Sequence, residues 1–301
     1  MDTRDRYRGA MLGLAVGDAL GAAVEFKSPG TFEPVTGMRG GGPHPIKPGD
    51  WTDDTSMALC LAESLVECRG FEPGDQMRRY VRWRREGHLS SIGRCFDIGG
   101  ATSAALSRFE RTGDPYSGST DPNTAGNGSL MRLAPAALAF AGDLDAAERH
   151  AADSSRTTHG APQAVDACRF FGVVLASAAR GAPKDALLSR DVFAAALVPE
   201  VEAVAAGSYR EKEPPAIRGG GYVVESLEAA LWAFASTESF ADAVLAAVNL
   251  GDDSDTTGAV CGQIAGAYYG AGAIPGDWLE QLKMREKIET LADRLGELAR
   301  Q

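Results

Sequence analysis

Two short acidic stretches hold the side chains best suited to chemistry. Residues 51–58 read WTDDTSMA, and residues 251–260 read GDDSDTTGAV. Each joins adjacent aspartates to threonines and runs straight into an apolar helical pattern. A single Asp, Ser or Thr satisfies the free N–H groups at a helix N-terminus, and negative charge suits that end of the dipole. The Asp53–Asp54 pair exceeds what one cap needs, and so does the set Asp252, Asp253 and Asp255. On residue pattern alone, capping and a cation site both stay open.

Oxygen-only donors select a hard cation, Mg²⁺, Mn²⁺ or Ca²⁺. Zinc is disfavoured, because the chain has four histidines and none in HExxH spacing. An EF-hand loop fails directly. Asp253, Asp255, Thr257 and Gly258 mimic its positions 1, 3, 5 and 6, but position 12 falls on Ile264, where a bidentate glutamate is required. DSDTT also matches the DxDxT of aspartate-nucleophile phosphatases, which follows a hydrophobic strand near the N-terminus. Here the motif comes late and after a helical pattern. A metal-dependent phosphohydrolase with Asp253 as nucleophile is therefore a rival reading.

The elements that must carry these clusters are helical. Residues 54–68 place Met57, Leu61, Leu65 and Cys68 on one face, spaced by three or four. Residues 163–180 form a mostly apolar helix with Gly181 as its C-cap. Residues 223–235 put Val224, Leu227, Leu231 and Phe234 on one stripe, and residues 240–250 and 278–299 add two further helices. Few segments alternate with period two. The expected fold is all-α, a compact single-domain helical bundle over residues 1–301 with long functional loops.

Three such loops are residues 36–50, 111–129 and 207–222, the first with five glycines and three prolines. Gly258, Gly262, Gly266 and Gly270 recur every four residues. Interior glycine costs about 1 kcal/mol relative to alanine, so this stripe predicts another helix backbone in close approach.

Composition narrows the partners. With 30 basic and 41 acidic residues the net charge is −11, which opposes sequence-independent nucleic-acid binding and adhesion to anionic membranes. The apolar run near the N-terminus is broken by Asp18 and is too short to span a bilayer. Five cysteines without a CxxC pair fit reduced thiols, so the expected compartment is the cytoplasm.

The motifs taken together resemble the ADP-ribosylglycohydrolase family, nearest its dinitrogenase-reductase-activating glycohydrolase branch, with the ADP-ribosyl-arginine hydrolases close by. Seven blocks carry the resemblance in order: GAMLGLAVGDALGAAVEF, GDWTDDTSM, CFDIGGAT, GNGSLMRLAP, TTHG, GGGYVVESLEAALWAF and GDDSDTTGAVCGQIAGAYYG. The resemblance implies an all-α fold around two divalent cations, Mg²⁺ or Mn²⁺. It implies Thr52, Asp53 and Asp54 as ligands from the first cluster and Asp253, Asp255 and Thr256 from the second, with Ser254 not ligating.

Other positions acquire roles by the same resemblance. Asp18 is expected to be structural. Glu25 aligns with a glutamate beside the metals that ligates or handles a proton; a loop carboxylate in solvent is the alternative. Asp97 matches a substrate-facing aspartate suited to a guanidinium, against a helix N-cap. Gly126, Asn127, Gly128 and Ser129 would form a turn at the substrate diphosphate. His159 would lie in the nucleotide pocket or be a structural histidine, and Tyr222 would stack on adenine or belong to the core. Asp252 replaces a glycine common in the family and either tunes the centre or faces solvent.

The activity so implied is hydrolysis of the N-glycosidic bond between ribose C1″ and an arginine guanidinium, releasing ADP-ribose. Asp54 or a neighbouring carboxylate would accept the water's proton, while Asp97 orients the leaving group. The partner would be an ADP-ribosylated protein or a small ADP-ribosyl compound. Besides the phosphohydrolase, the alternatives are the same chemistry on serine, O-acetyl-ADP-ribose, a nucleobase or a small guanidine, and a non-catalytic ADP-ribose-binding module.

Overall fold

The computed structural model describes residues 1–300, which form fourteen α-helices and isolated β-bridges without a β-strand among the described residues. The helices are α1 (Thr3–Gly21), α2 (Asp53–Cys68), α3 (Pro73–Glu86), α4 (Gly100–Thr112), α5 (Ala134–Ala139), α6 (Leu144–Arg156) and α7 (Pro162–Ala179). They continue with α8 (Lys184–Leu187), α9 (Pro199–Ala205), α10 (Val223–Ala235), α11 (Phe240–Val248), α12 (Ser254–Tyr269), α13 (Gly276–Gln281) and α14 (Arg285–Leu298). No described helix is long and apolar enough to cross a membrane.

The centre of the molecule is the antiparallel pair α1 and α12, its most extensive helix contact. The expected close approach is there, and both partners are grooved. A Cβ added at Gly13 would stand 2.2 Å from Gly262 O, one at Gly17 2.0 Å from Gly258 O, and one at Gly9 2.1 Å from Gly266 O. Only hydrogen in place of a side chain lets two backbones meet this closely. Gly270 is not part of the stripe. Its φ of 84° ends α12, and a Cβ there would collide with Asp5. Around this pair, α2, α5 and α14 pack on α1, and α7, α10 and α11 pack on α12.

Several helix boundaries differ from the apolar pattern for local reasons. The span 278–299 is two helices, because Met284 adopts φ 52° between α13 and α14. Helix α7 stops one residue before Arg180, and Gly181 follows at φ 91°, so the glycine lies just beyond the cap. Cys68 is exposed rather than on the buried face of α2, since the helix ends there and Arg69 turns left-handed. Val224 is half-buried, whereas Leu227, Leu231 and Phe234 are fully buried.

Candidate active site

The C-terminus of α1 and the N-termini of α2 and α12 meet at one point. Asp18, fully buried on α1, is the acting cap of α2. Its Oδ1 accepts from Thr52 N (2.9 Å), and its Oδ2 accepts from Thr55 N (3.0 Å) and Thr55 Oγ1 (2.6 Å). The expected structural role of Asp18 is thereby specific: it supplies from another helix the cap that Thr52 does not make. Asp53 and Asp54 are released from capping, which removes the plainer explanation of the pair. At α12 the same holds, since Asp253 makes no side-chain cap bond. Its Oδ2 instead accepts from Asn127 Nδ2 at 2.8 Å.

The two clusters converge. Thr52 Oγ1 lies 3.3 Å from Asp54 Oδ2 and 3.2 Å from Asp255 Oδ2, linking side chains 203 residues apart. Glu25 is 4% exposed, so it is not a loop carboxylate in solvent. Glu25 Oε2, Asp54 Oδ1 and Asp255 Oδ1 are buried without a hydrogen-bond partner. Buried polar atoms are normally paired. Burial first, then the neighbouring carboxylates, holds Asp53, Asp54 and Asp255 well above the ordinary carboxylate range, and the same causes push Glu25 up to about 9. Asp18 rises to about 6, with burial outweighing its hydrogen bonds. Aligned helix N-termini favour negative charge only by about 0.3–1 kcal/mol each, too little to offset several crowded carboxylates. Orphaned carboxylate oxygens in an all-oxygen donor set fit hard divalent cations.

These groups floor a cleft of about 340 Å³ lined by Glu25, Asp53, Asp97, Asp253, Asp255 and Thr256 on one side and by Gly126, Asn127, Gly128 and His159 on the other. Thr52 and Asp54 lie fully buried in the layer beneath. Ser129 is not in the cleft: it turns into the core, where its hydroxyl meets Ser155 Oγ at 2.8 Å and Cys168 Sγ at 3.4 Å. Asp252 also leaves the centre. At φ 52° it points away to Arg218, 3.6 Å off.

Asp97 is not a helix cap, because Gly99 occupies that position for α4. It adopts φ 61°, a left-handed conformation that aspartate tolerates better than most residues. Its Oδ1 meets His44 Nε2 at 2.9 Å, and Glu25, His44 and Asp97 each offer an atom within 4.8 Å of the others. Burial leads the causes that raise Asp97, while His44 opposes the rise.

On the far wall, the turn at 126–128 is pinned by Asn127 N to Gly221 O (3.2 Å) and by the Gly126–Tyr222 bridge. A Cβ at Gly128 would stand 2.8 Å from His159 Cε1, so glycine is what lets the imidazole reach the cleft. Beneath, the fully buried Arg132 donates to Thr158 Oγ1 at 2.8 Å, and Thr158 Oγ1 lies 2.8 Å from His159 Nδ1. The network assigns the Thr158 proton to Nδ1 and the imidazole proton to Nε2. Burial drops His159 to about 3, so the ring is a neutral donor aimed at the turn. A second cavity of about 840 Å³ adjoins the cleft through Gly100, Ala101, Gly126 and Gly221, and Tyr222 lines it at 36% exposure rather than joining the core.

Sequence reasoning missed four contributors. His44 sat in a loop with no recognisable motif. Arg132 and Thr158 look like core polar residues until their partners are known. The stripe Gly9, Gly13, Gly17 and Gly21 on α1 was legible by its spacing of four, the same signal that marked α12.

The sequence profile of a family described as ADP-ribosylglycohydrolase matches residues 1–301. An ADP-ribosylarginine hydrolase Tri1 of Pseudomonas putida is 44% identical over 99% of this chain and 79% of its own length. The ADP-ribosyl-[dinitrogen reductase] glycohydrolase of Rhodospirillum rubrum is 34% identical over 95% of this chain and 92% of its own. A solved structure titled ADP-ribosylglycohydrolase-related protein complex superposes with a TM-score of 0.88 at 50% identity, covering 99% of both chains.

Proposed function

The chain belongs to the ADP-ribosylglycohydrolase family and is a hydrolase, and from that premise we propose that it removes ADP-ribose from modified arginine in proteins. The observation that carries this reading is the convergence of the buried Glu25, Asp53, Asp54 and Asp255 with the half-buried Asp97 and Asp253, three carboxylate oxygens being left unpartnered beside a neutral donor wall. Residues 1–301 act as one catalytic unit. The absence of a membrane-crossing helix among the described residues and the five free cysteines support a place in the cytoplasm.

Thr52, Asp53, Asp54, Asp253, Asp255 and Thr256 would hold two divalent cations, Mg²⁺ or Mn²⁺. Bound there, the ions supply Lewis-acid polarisation and compensate the carboxylate charge. His159 Nε2–H and the Gly126–Asn127–Gly128 turn hold the diphosphate and ribose, and Tyr222 stacks on adenine in the adjoining cavity. Asp97 pairs with the guanidinium. Water attacks ribose C1″ as the C1″–N bond breaks. Its proton passes to Glu25 Oε2, which cations bound nearby would keep ionised, and then to the leaving guanidine nitrogen. Asp54, buried under the cleft, is the alternative acceptor of that proton. The products are ADP-ribose and unmodified arginine.

The test incubates mono-ADP-ribosyl-arginine protein with the enzyme and Mg²⁺ or Mn²⁺, and measures released ADP-ribose by liquid chromatography. Folded, metal-loaded enzyme that releases none overturns the proposal. Release only from serine-linked or O-acetyl substrates moves the leaving group and keeps the reaction class.

A further inference from the structure

Residues 36–50 carry no group of the proposed ADP-ribosyl site, yet this loop is built with more constraint than a connector needs. A Cβ at Gly42 would fall 1.9 Å from Ala22 O, and one at Gly49 would fall 1.9 Å from Gln281 O, so the loop lies flat against backbone both at its tip and near its C-terminal end. Gly41 and Ile46 close the tip with paired backbone bonds of 2.9 and 3.3 Å. Between them the chain reads Gly-Pro-His-Pro. Proline fixes its own φ, and Pro45 also restricts the backbone of His44 before it. The loop is therefore a rigid arm with one functional side chain at its end. The His44 ring packs edge-on to Phe96, with centroids 5.4 Å apart, and is itself one-third exposed, so it is not a core residue.

That side chain touches Asp97, whose left-handed backbone leaves its carboxylate without a helix or strand to orient it. We propose that His44 is a positioning residue for Asp97: donation from Nε2 to Oδ1 fixes the carboxylate in the plane that receives the leaving guanidinium. Oδ1 is spent on His44, so the guanidinium is received at the second oxygen, with a Glu25 oxygen in the same cluster, its atoms within 4.8 Å of one another. A carboxylate pinned at one oxygen presents a defined direction to a planar, forked donor. This inference rests on the functional reading above.

The experiment compares wild type, His44→Ala, His44→Gln, Asp97→Ala and the double variant His44→Ala/Asp97→Ala on ADP-ribosyl-arginine protein, with metal content measured for each. His44→Ala is expected to lose about tenfold in kcat/KM, as partners that orient a working group do. His44→Gln, which can still donate, should recover most of that loss. The double variant should match Asp97→Ala, because a residue acting through another contributes nothing once the other is gone. Metal content should equal that of wild type throughout.

The inference is overturned by full activity in His44→Ala, by a glutamine variant as impaired as the alanine one, or by additive losses in the double variant. Loss of a metal equivalent in His44→Ala would overturn it too, making His44 a ligand. A wild-type enzyme inactive on this substrate would instead remove the functional reading, and the inference with it.

Discussion

Replacing Gly17 with alanine tests whether the glycine faces of α1 and α12 set the geometry of the whole site. The new Cβ would stand 2.0 Å from Gly258 O, 2.4 Å from Gly258 C and 2.9 Å from Ala259 N. Ordinary contact is about 3.5 Å, so the shortfall is about 1.5 Å. All three obstacles are backbone, so no rotamer change relieves them and the helices must part. Overpacking of this kind costs about 1–3 kcal/mol, and occasionally more. Alanine's better helix propensity returns about 1 kcal/mol. A clash with three backbone atoms belongs at the upper end, so the expected net loss is about 2 kcal/mol, or roughly 4 °C in Tm for a chain of this size. Urea denaturation measures it, with Gly276→Ala alongside: that site opens α13 and has nothing within 4 Å of an added Cβ. Gly276→Ala should be neutral or stabilising. Because Gly17 adjoins Asp18, the cap of α2, Gly17→Ala should also lower turnover. A Gly17→Ala protein as stable as wild type would refute the reasoning.

Four shorter expectations follow from the acidic cleft. In the metal-free protein, Asp53, Asp54, Asp255 and Glu25 bind protons more tightly folded than unfolded, so their contribution to stability is greatest at low pH and falls as pH rises from about 4 toward the Glu25 value of about 9. Urea midpoints in chelator across that window check the slope, and a rising midpoint would contradict it. Asp54→Asn and Asp255→Asn should each abolish metal-dependent turnover while leaving the circular dichroism unchanged; activity in both removes the two-cation assignment. Asp18→Asn should destabilise by about 2 kcal/mol, because an amide N–H would face backbone donors of α2, and calorimetry reads this directly. His159→Ala should weaken ADP-ribose binding by roughly tenfold, the worth of one buried hydrogen bond, in a titration with the nucleotide.

The acidic clusters were legible because their chemistry is written in contiguous residues. WTDDT and DDSDTT each carry more carboxylates than a cap requires, and the surplus survives folding as unpartnered oxygens at Asp54 and Asp255. The all-α reading held because periodicity is local, with α2, α10 and α11 beginning within a residue of where the apolar pattern placed them. Long-range pairings were not legible. Nothing local says that Asp18 caps a helix 34 residues away, that His44 reaches Asp97, or that Ser129 turns to Cys168 while its neighbours face the cleft. The break at Met284 was hidden for a related reason, since a left-handed residue that is not glycine leaves no compositional trace.

The central pair α1 and α12 also dictates when the site can exist. One helix ends at Gly21 and the other at Tyr269, so the two halves of the core leave the ribosome about 250 residues apart. At about 5–20 residues per second that interval is roughly 12–50 s. Throughout it, the grooved face of α1 has no partner, and Asp53 and Asp54 emerge without Asp253 and Asp255. The acidic cleft is thus among the last features a nascent chain can complete. A polypeptide released before α12 would carry the first aspartate pair with neither its scaffold nor its complement.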